Sequence, residues 1–250
     1  MKLDFTEMFF NYVNLTESEG KKRIKQNNML EMYWGGIVMT KNEVYGILKK
    51  LCTINLQFLW TSILFWAGKY DRALGYINKN YDKTVTFDLM CWKGVLYYFL
   101  KDYNNAIYHL ERAERVAPKS EEIKYLLAEI FFETAQIAKA ELRYRALLGS
   151  EEYKTIAFFG LGCCLFKTNS YLEALGFFNR ALSHADAKNK PKILNKKGLC
   201  LMELNKIEEA QKCFEDCVKL VPTDVSAQLN LALTLGKLKK YKEAAVIYKK

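Results

Sequence analysis

Proline is nearly missing from this sequence, with 3 in 250 residues. A chain this poor in the residue that breaks the helix ladder, and rich in Leu, Lys, Ala and Glu, reads as all-α. Histidine is scarcer still. A Ser-His-Asp constellation would have to use His109 or His184, and neither has a nucleophile motif beside it. His109 reads as a surface residue on the second helix of its unit. No Ser/Gly/Pro-rich linker divides the chain, which implies one continuous structure. No run is long and uncharged enough to span a bilayer. The amino terminus, MKLDFTEMFFNYVN, carries acids within its apolar part and no small-residue cleavage site, so it does not read as a signal peptide.

Cysteine is present in odd number, 7, without a short-range framework. Cys52, Cys91, Cys163, Cys164 and Cys200 sit in apolar runs, where a free thiol packs as a small hydrophobe. That usage fits a reducing, intracellular compartment, cytoplasmic or nuclear. Cys213 and Cys217 share a helix face, but no second pair and no nearby histidine completes a zinc site. The GLGCC run at Gly160 to Cys164 lacks the Lys-Ser/Thr of a phosphate loop and lies in a helical pattern. No catalytic residue, cofactor or metal is expected.

What the sequence does contain is charge and repetition. The formal net charge is +10, but the lysines are scattered and read as solvated helix faces, which makes a nucleic-acid partner an unfavoured alternative. The repetition is stronger. Ala73, Ala106, Ala140, Ala174, Ala210 and Ala244 follow one another at steps of 33, 34, 34, 36 and 34 residues. Twelve residues before five of them stands a small residue: Gly94, Ala128, Gly162, Gly198 or Ala232. Four residues after each stands Ile77, Leu110, Tyr144, Phe178, Phe214 or Tyr248. Each unit is predicted to hold two helices of about four turns that cross at the small residues, where a larger side chain would force the axes apart. Tyr97 and Leu110 are then expected to fill the gap to the next unit. Pro118 and Pro222, twelve after their alanines, close second helices. No unit can bury its apolar faces alone, so the units must stack.

This pattern resembles the tetratricopeptide repeat family over about Ile54 to Lys250. The resemblance implies a right-handed α-solenoid of about six antiparallel helix hairpins, near residues 54–86, 87–120, 121–154, 155–190, 191–224 and 225–250. The first unit departs from the pattern, with Thr61 and Asn80 where small residues are usual. The fourth carries a short insertion near Ala185 to Lys190. Lys250 falls inside a second helix, so the natural chain is expected to continue. Residues 1–53 read as a helical amino-terminal cap or degenerate repeat, with Phe5, Met8, Phe9, Phe10 and Tyr12 as an alternative docking arm.

The resemblance also implies that the first helices line a concave recognition groove. Its candidate partner-binding residues are Phe58, Trp66, Trp92, Tyr98, Phe99, Tyr125, Glu129, Phe132, Phe159, Phe166, Lys192, Lys196 and Asn230. Two outcomes are open for the aromatics: an exposed groove that anchors a ligand, or burial against one another or the amino-terminal segment. The Lys/Asn/Arg clamp with which some relatives hold a chaperone carboxylate is not reproduced as a set: residues such as Cys91, Val95, Leu126, Lys192 and Lys196 stand at the matching positions, and Asn230 alone fits one slot. The expected function is a non-catalytic protein-interaction scaffold or adaptor, a subunit of a larger multiprotein complex that binds a partner helix or extended peptide. Homo-oligomerisation is left open. The units at Phe58 to Ile77 loosely resemble subunits of the anaphase-promoting complex, or of ciliary transport complexes. The alternatives are a basic repeat protein for RNA or acidic partners, and a regulatory region of a larger enzyme.

Overall fold

The computed structural model describes residues 58–81 and 86–248. The expectations for residues 1–57 lie outside the described residues. Those described form twelve helices and no strand. In chain order they are α1 (Leu59–Trp66), α2 (Tyr70–Tyr81), α3 (Phe87–Phe99), α4 (Tyr103–Val116), α5 (Glu121–Glu133) and α6 (Ile137–Arg145). Then follow α7 (Lys154–Lys167), α8 (Tyr171–His184), α9 (Lys190–Glu203), α10 (Ile207–Leu220), α11 (Val225–Lys237) and α12 (Tyr241–Tyr248). Each odd-numbered helix pairs with the next, and each pair packs on the following one. The described residues form an all-α solenoid of six hairpins.

Local chemistry sets the helix starts. Thr86, Asp102, Ser120 and Asp224 each accept a hydrogen bond from a first-turn amide, of Leu89, Asn105, Ile123 and Ala227 respectively. Pro191 lies in the first turn of α9, where its missing N–H costs nothing. Pro118 and Pro222 lie two residues beyond α4 and α10.

The tight turn inside every hairpin has one geometry. Gly68, Lys101, Ala135, Asn169, Asn205 and Lys239 all adopt left-handed backbone, with φ between 57° and 71°. The next amide reaches back five residues: Lys69 N to Leu64 O at 2.9 Å, Gln136 N to Phe131 O at 2.8 Å, Lys206 N to Leu201 O at 2.8 Å. This double-capped ending satisfies the last carbonyls of the first helix and turns the chain back.

The crossing points explain the repeat. A Cβ on Gly94 would stand 2.6 Å from Leu110 Cγ, one on Gly162 2.6 Å from the Phe178 ring, and one on Gly198 2.6 Å from the Phe214 ring. Each glycine therefore receives the large residue sixteen positions later, from the second helix of its own hairpin. Ile77, Leu110, Tyr144, Phe178 and Phe214, at the same place in their second helices, are all fully buried. Leu110 thus packs into the crossing of its own hairpin. Tyr97 stays half-buried and stacks on His109, centroids 5.5 Å apart. His109 is accordingly half-buried rather than a surface side chain. The third hairpin departs from the four-turn pattern: α6 has 9 residues, and a turn-rich segment follows it before α7.

Candidate functional site

The odd-numbered helices lie side by side along one face. α7 touches α9 and α9 touches α11, a contact that the second helices do not match. First helices therefore line the inner side of the stack.

The amino-terminal half of this inner face is dense with rings. Phe58 stacks on Trp92 at 6.3 Å, and Phe65 meets Trp92 and Phe99 edge-on at 6.0 and 5.1 Å. Phe99 also stacks on Tyr70 at 4.9 Å. Tyr125 packs on Tyr153, Phe159 on Phe178 and Phe166 on Tyr171. Phe58, Trp92, Tyr98, Tyr125, Phe132 and Phe159 are buried, and Trp66, Phe99 and Phe166 are half-buried. Much of this ring surface is spent on joining one hairpin to the next.

Two carboxylates sit among the rings. Glu129, fully buried, accepts a 2.5 Å hydrogen bond from the Tyr144 hydroxyl. Tyr144 reaches it only because residue 160 is glycine: a Cβ there would stand 2.5 Å from the Tyr144 ring. Burial, with the Glu129 charge adding to it, raises the Tyr144 phenol well above its usual range. Tyr98 donates to Glu133 at 2.7 Å, and burial followed by the Glu133 charge raises that phenol too. Neither hydroxyl is placed to act as a base near neutral pH.

The carboxy-terminal half of the face differs. Lys192 on α9 is exposed and its Nζ lies 5.3 Å from the Phe159 ring centroid, back over α7. One turn on, Lys196 is half-exposed beside the buried Cys163. Desolvation lowers the Lys196 ammonium, and Lys167 and Lys192 lower it further, while Cys163 opposes them. Burial pushes the Cys163 thiol up to about 12 despite these cations. Asn230 on α11 donates to Asn195 on α9 at 2.8 Å, and Asn195 donates to Ser226 at 3.3 Å. This amide ladder joins the last two hairpins. Leu229 and Leu233 flank it and are 40% and 53% exposed. Both lie on α11, a first helix, and aromatic content alone does not single them out.

Cys91, Cys163, Cys164, Cys200, Cys213 and Cys217 are unpaired and buried, and Cys217 donates its thiol to the Pro191 carbonyl at 3.2 Å. The GLGCC run lies inside α7. Among the described residues no group of His, Cys, Asp or Glu is placed to hold a metal, and no helix is long and apolar enough to cross a membrane.

A stack of helical hairpins with an inner face of this kind defines a repeat protein of the interaction class. Two tetratricopeptide repeat models match the sequence, over residues 100–152 and 191–224. PilF of Pseudomonas aeruginosa is similar in structure, with a TM-score of 0.58 and 23% identity over 65% of this chain and 73% of that one. MamA of Desulfovibrio magneticus RS-1 gives 0.58 and 16% over 65% and 91%. YrrB, described as a tetratricopeptide repeat protein with an unusual peptide-binding site, gives 0.56 and 18% over 75% and 97%. No curated protein matches by sequence.

Proposed function

We propose that this chain is a non-catalytic scaffold subunit of a multiprotein complex, and that a partner helix or extended peptide docks on its inner face. The observation that carries the reading is the division of that face. Much of its aromatic half is taken up by ring contacts within and between hairpins, while Lys192, Leu229 and Leu233 at the other half are exposed on adjacent first helices. Exposed apolar residues ringed by polar ones mark interaction surfaces. YrrB, with the same fold, is described as having a peptide-binding site.

Within this reading the candidate residues take two parts. Phe58, Trp92, Tyr98, Tyr125, Glu129, Phe132 and Phe159 fix the pitch and curvature of the face. Trp66, Phe99, Phe166, Lys192, Lys196 and Asn230 offer the contacts. The buried unpaired thiols favour a reducing, intracellular setting.

The test is cross-linking from defined positions in the full chain. A photoreactive residue at Leu233 is expected to yield a discrete adduct with a protein of the native extract, and one at the exposed, outer Leu172 none. Adducts from Leu172 alone would place binding on the outer helices.

A further inference from the structure

Independently of the inner face, we infer that the last hairpin turn and the outer side of α12 form a docking surface for an anionic lipid bilayer. Lys237 at the end of α11, Lys239 and Lys240 in the turn, and Lys242 in the first turn of α12 are all exposed. At the corresponding four places each other hairpin holds at most one lysine. Lys237, Lys239 and Lys242 form no ion pair with the described residues, whereas Lys206 and Lys219 beside and on α10 pair with Glu209 and Asp216 at 3.4 and 3.0 Å. Lys240 donates to a neutral partner, Gln211 Oε1, at 3.1 Å. Tyr241 and Val246 stand among these lysines at 66% and 59% exposure. Val246 follows Lys242 by one helical turn and shares its side of α12, opposite the buried Ala244. The places of Lys239, Lys242 and Val246 are exposed in all six hairpins, so their outward aim does not come from standing last in the stack.

The fold alone disfavours this placement of charge. The lysines gather at the amino-terminal end of a helix, where the backbone dipole is already positive, and the one acid of that first turn, Glu243, offsets only part of them. An anionic surface relieves both the mutual repulsion and the conflict with the dipole. The side chains themselves select among anionic partners. Lysine carries its charge on a long apolar stem, which lies along acyl chains while the ammonium stays at the headgroups. Tyrosine suits the same boundary, and Val246 gains from leaving water there. Nucleic acid would draw little from Val246, and no arginine stands between Gly236 and Tyr248 to grip phosphate bidentately. Tyr241 and Val246 protrude, which suits insertion into a soft interface better than the fit of a partner's anchor into a recess.

The experiment is co-sedimentation of the full chain with phosphatidylcholine vesicles that contain or lack phosphatidylserine. Binding is expected only with phosphatidylserine, and it weakens as salt rises. Lys239→Glu/Lys242→Glu, confirmed as folded by circular dichroism, lowers the affinity about tenfold or more, and Lys239→Arg/Lys242→Arg keeps it. Lys119→Glu/Lys188→Glu makes the same change of net charge at exposed loop positions elsewhere and lowers it far less. Val246→Trp adds fluorescence that brominated lipid quenches, whereas Leu142→Trp, at the same place in the third hairpin, adds fluorescence that it does not quench. Equal binding to neutral vesicles, equal loss from the two lysine pairs, or no added quenching with Val246→Trp would each overturn the inference. Absence of vesicle binding would overturn it too. If single-stranded RNA or an acidic peptide then bound through Lys239 and Lys242, the surface would belong to that partner instead. None of these results bears on the inner-face reading, which has its own test.

Discussion

Single residues set the geometry on which everything else rests. Gly162 faces the ring of Phe178, which is fully buried and has nowhere to move. Gly162→Ala is therefore expected to cost about 1–3 kcal/mol, despite the better helix propensity of Ala. Gly176 lies in α8 with nothing near its missing Cβ, so Gly176→Ala is expected to gain roughly 0.5–1 kcal/mol. Urea unfolding of the pair separates crossing-point packing from propensity. His109 supplies a second residue-scale effect. Burial, then the charges of Lys93 and Arg112, lowers its imidazole to about 4, and its buried Nδ1 has no hydrogen-bond partner. The folded form then resists a proton that the unfolded chain accepts from about pH 6.5 downward. Stability from this group is present above pH 6.5 and is lost as pH falls toward 4. His109→Phe, which keeps the stack on Tyr97, is expected to flatten stability against pH in that window, as read by urea midpoints.

At the scale of the element, the hairpin turn was not legible from residue type. Five of the six left-handed positions hold Lys, Ala or Asn rather than Gly, so the usual signal is missing. Only their constant place, five residues before each repeat alanine, gives them away. Ala135 carries a Cβ penalty there that glycine escapes. Ala135→Gly is expected to raise stability by about 1 kcal/mol, whereas Asn169→Gly changes it little, since Asn tolerates this backbone. Thermal unfolding of the two variants checks the contrast. The helices themselves were readable, because the spacing of sixteen between Gly94 and Leu110, or Gly198 and Phe214, records one contact inside one hairpin. What spacing could not tell was direction: the same Leu110 fits a gap between hairpins equally well on paper. The shortening of α6 left no mark on the step of 34 either, since the turn after it makes up the length.

For the whole molecule, the six-hairpin stack was legible from periodicity, and the candidate site only in part. Asn230, named from the sequence, meets Asn195 on the neighbouring first helix. Which members are reachable depends on how far each hairpin covers the next, and that is a property of curvature rather than of any one residue. The aromatic half shows the consequence, with Trp92 drawn into ring contacts with Phe58 and Phe65 of the preceding hairpin. Carboxylates enter that interior only where a tyrosine hydroxyl meets them. Tyr144→Phe removes the hydroxyl from buried Glu129 and is expected to cost about 1–3 kcal/mol, visible in the urea midpoint.

The central claim is that the inner face holds a protein partner while the outer helices do not. The most direct measurement is a quantitative co-precipitation from native extract. It compares wild type with Leu229→Asp/Leu233→Asp and with the outer pair Leu142→Asp/Leu172→Asp, all three confirmed as folded by circular dichroism. The account predicts that the inner pair loses a specific partner and the outer pair keeps it. The reverse pattern, with the partner lost only from the outer pair, would contradict it.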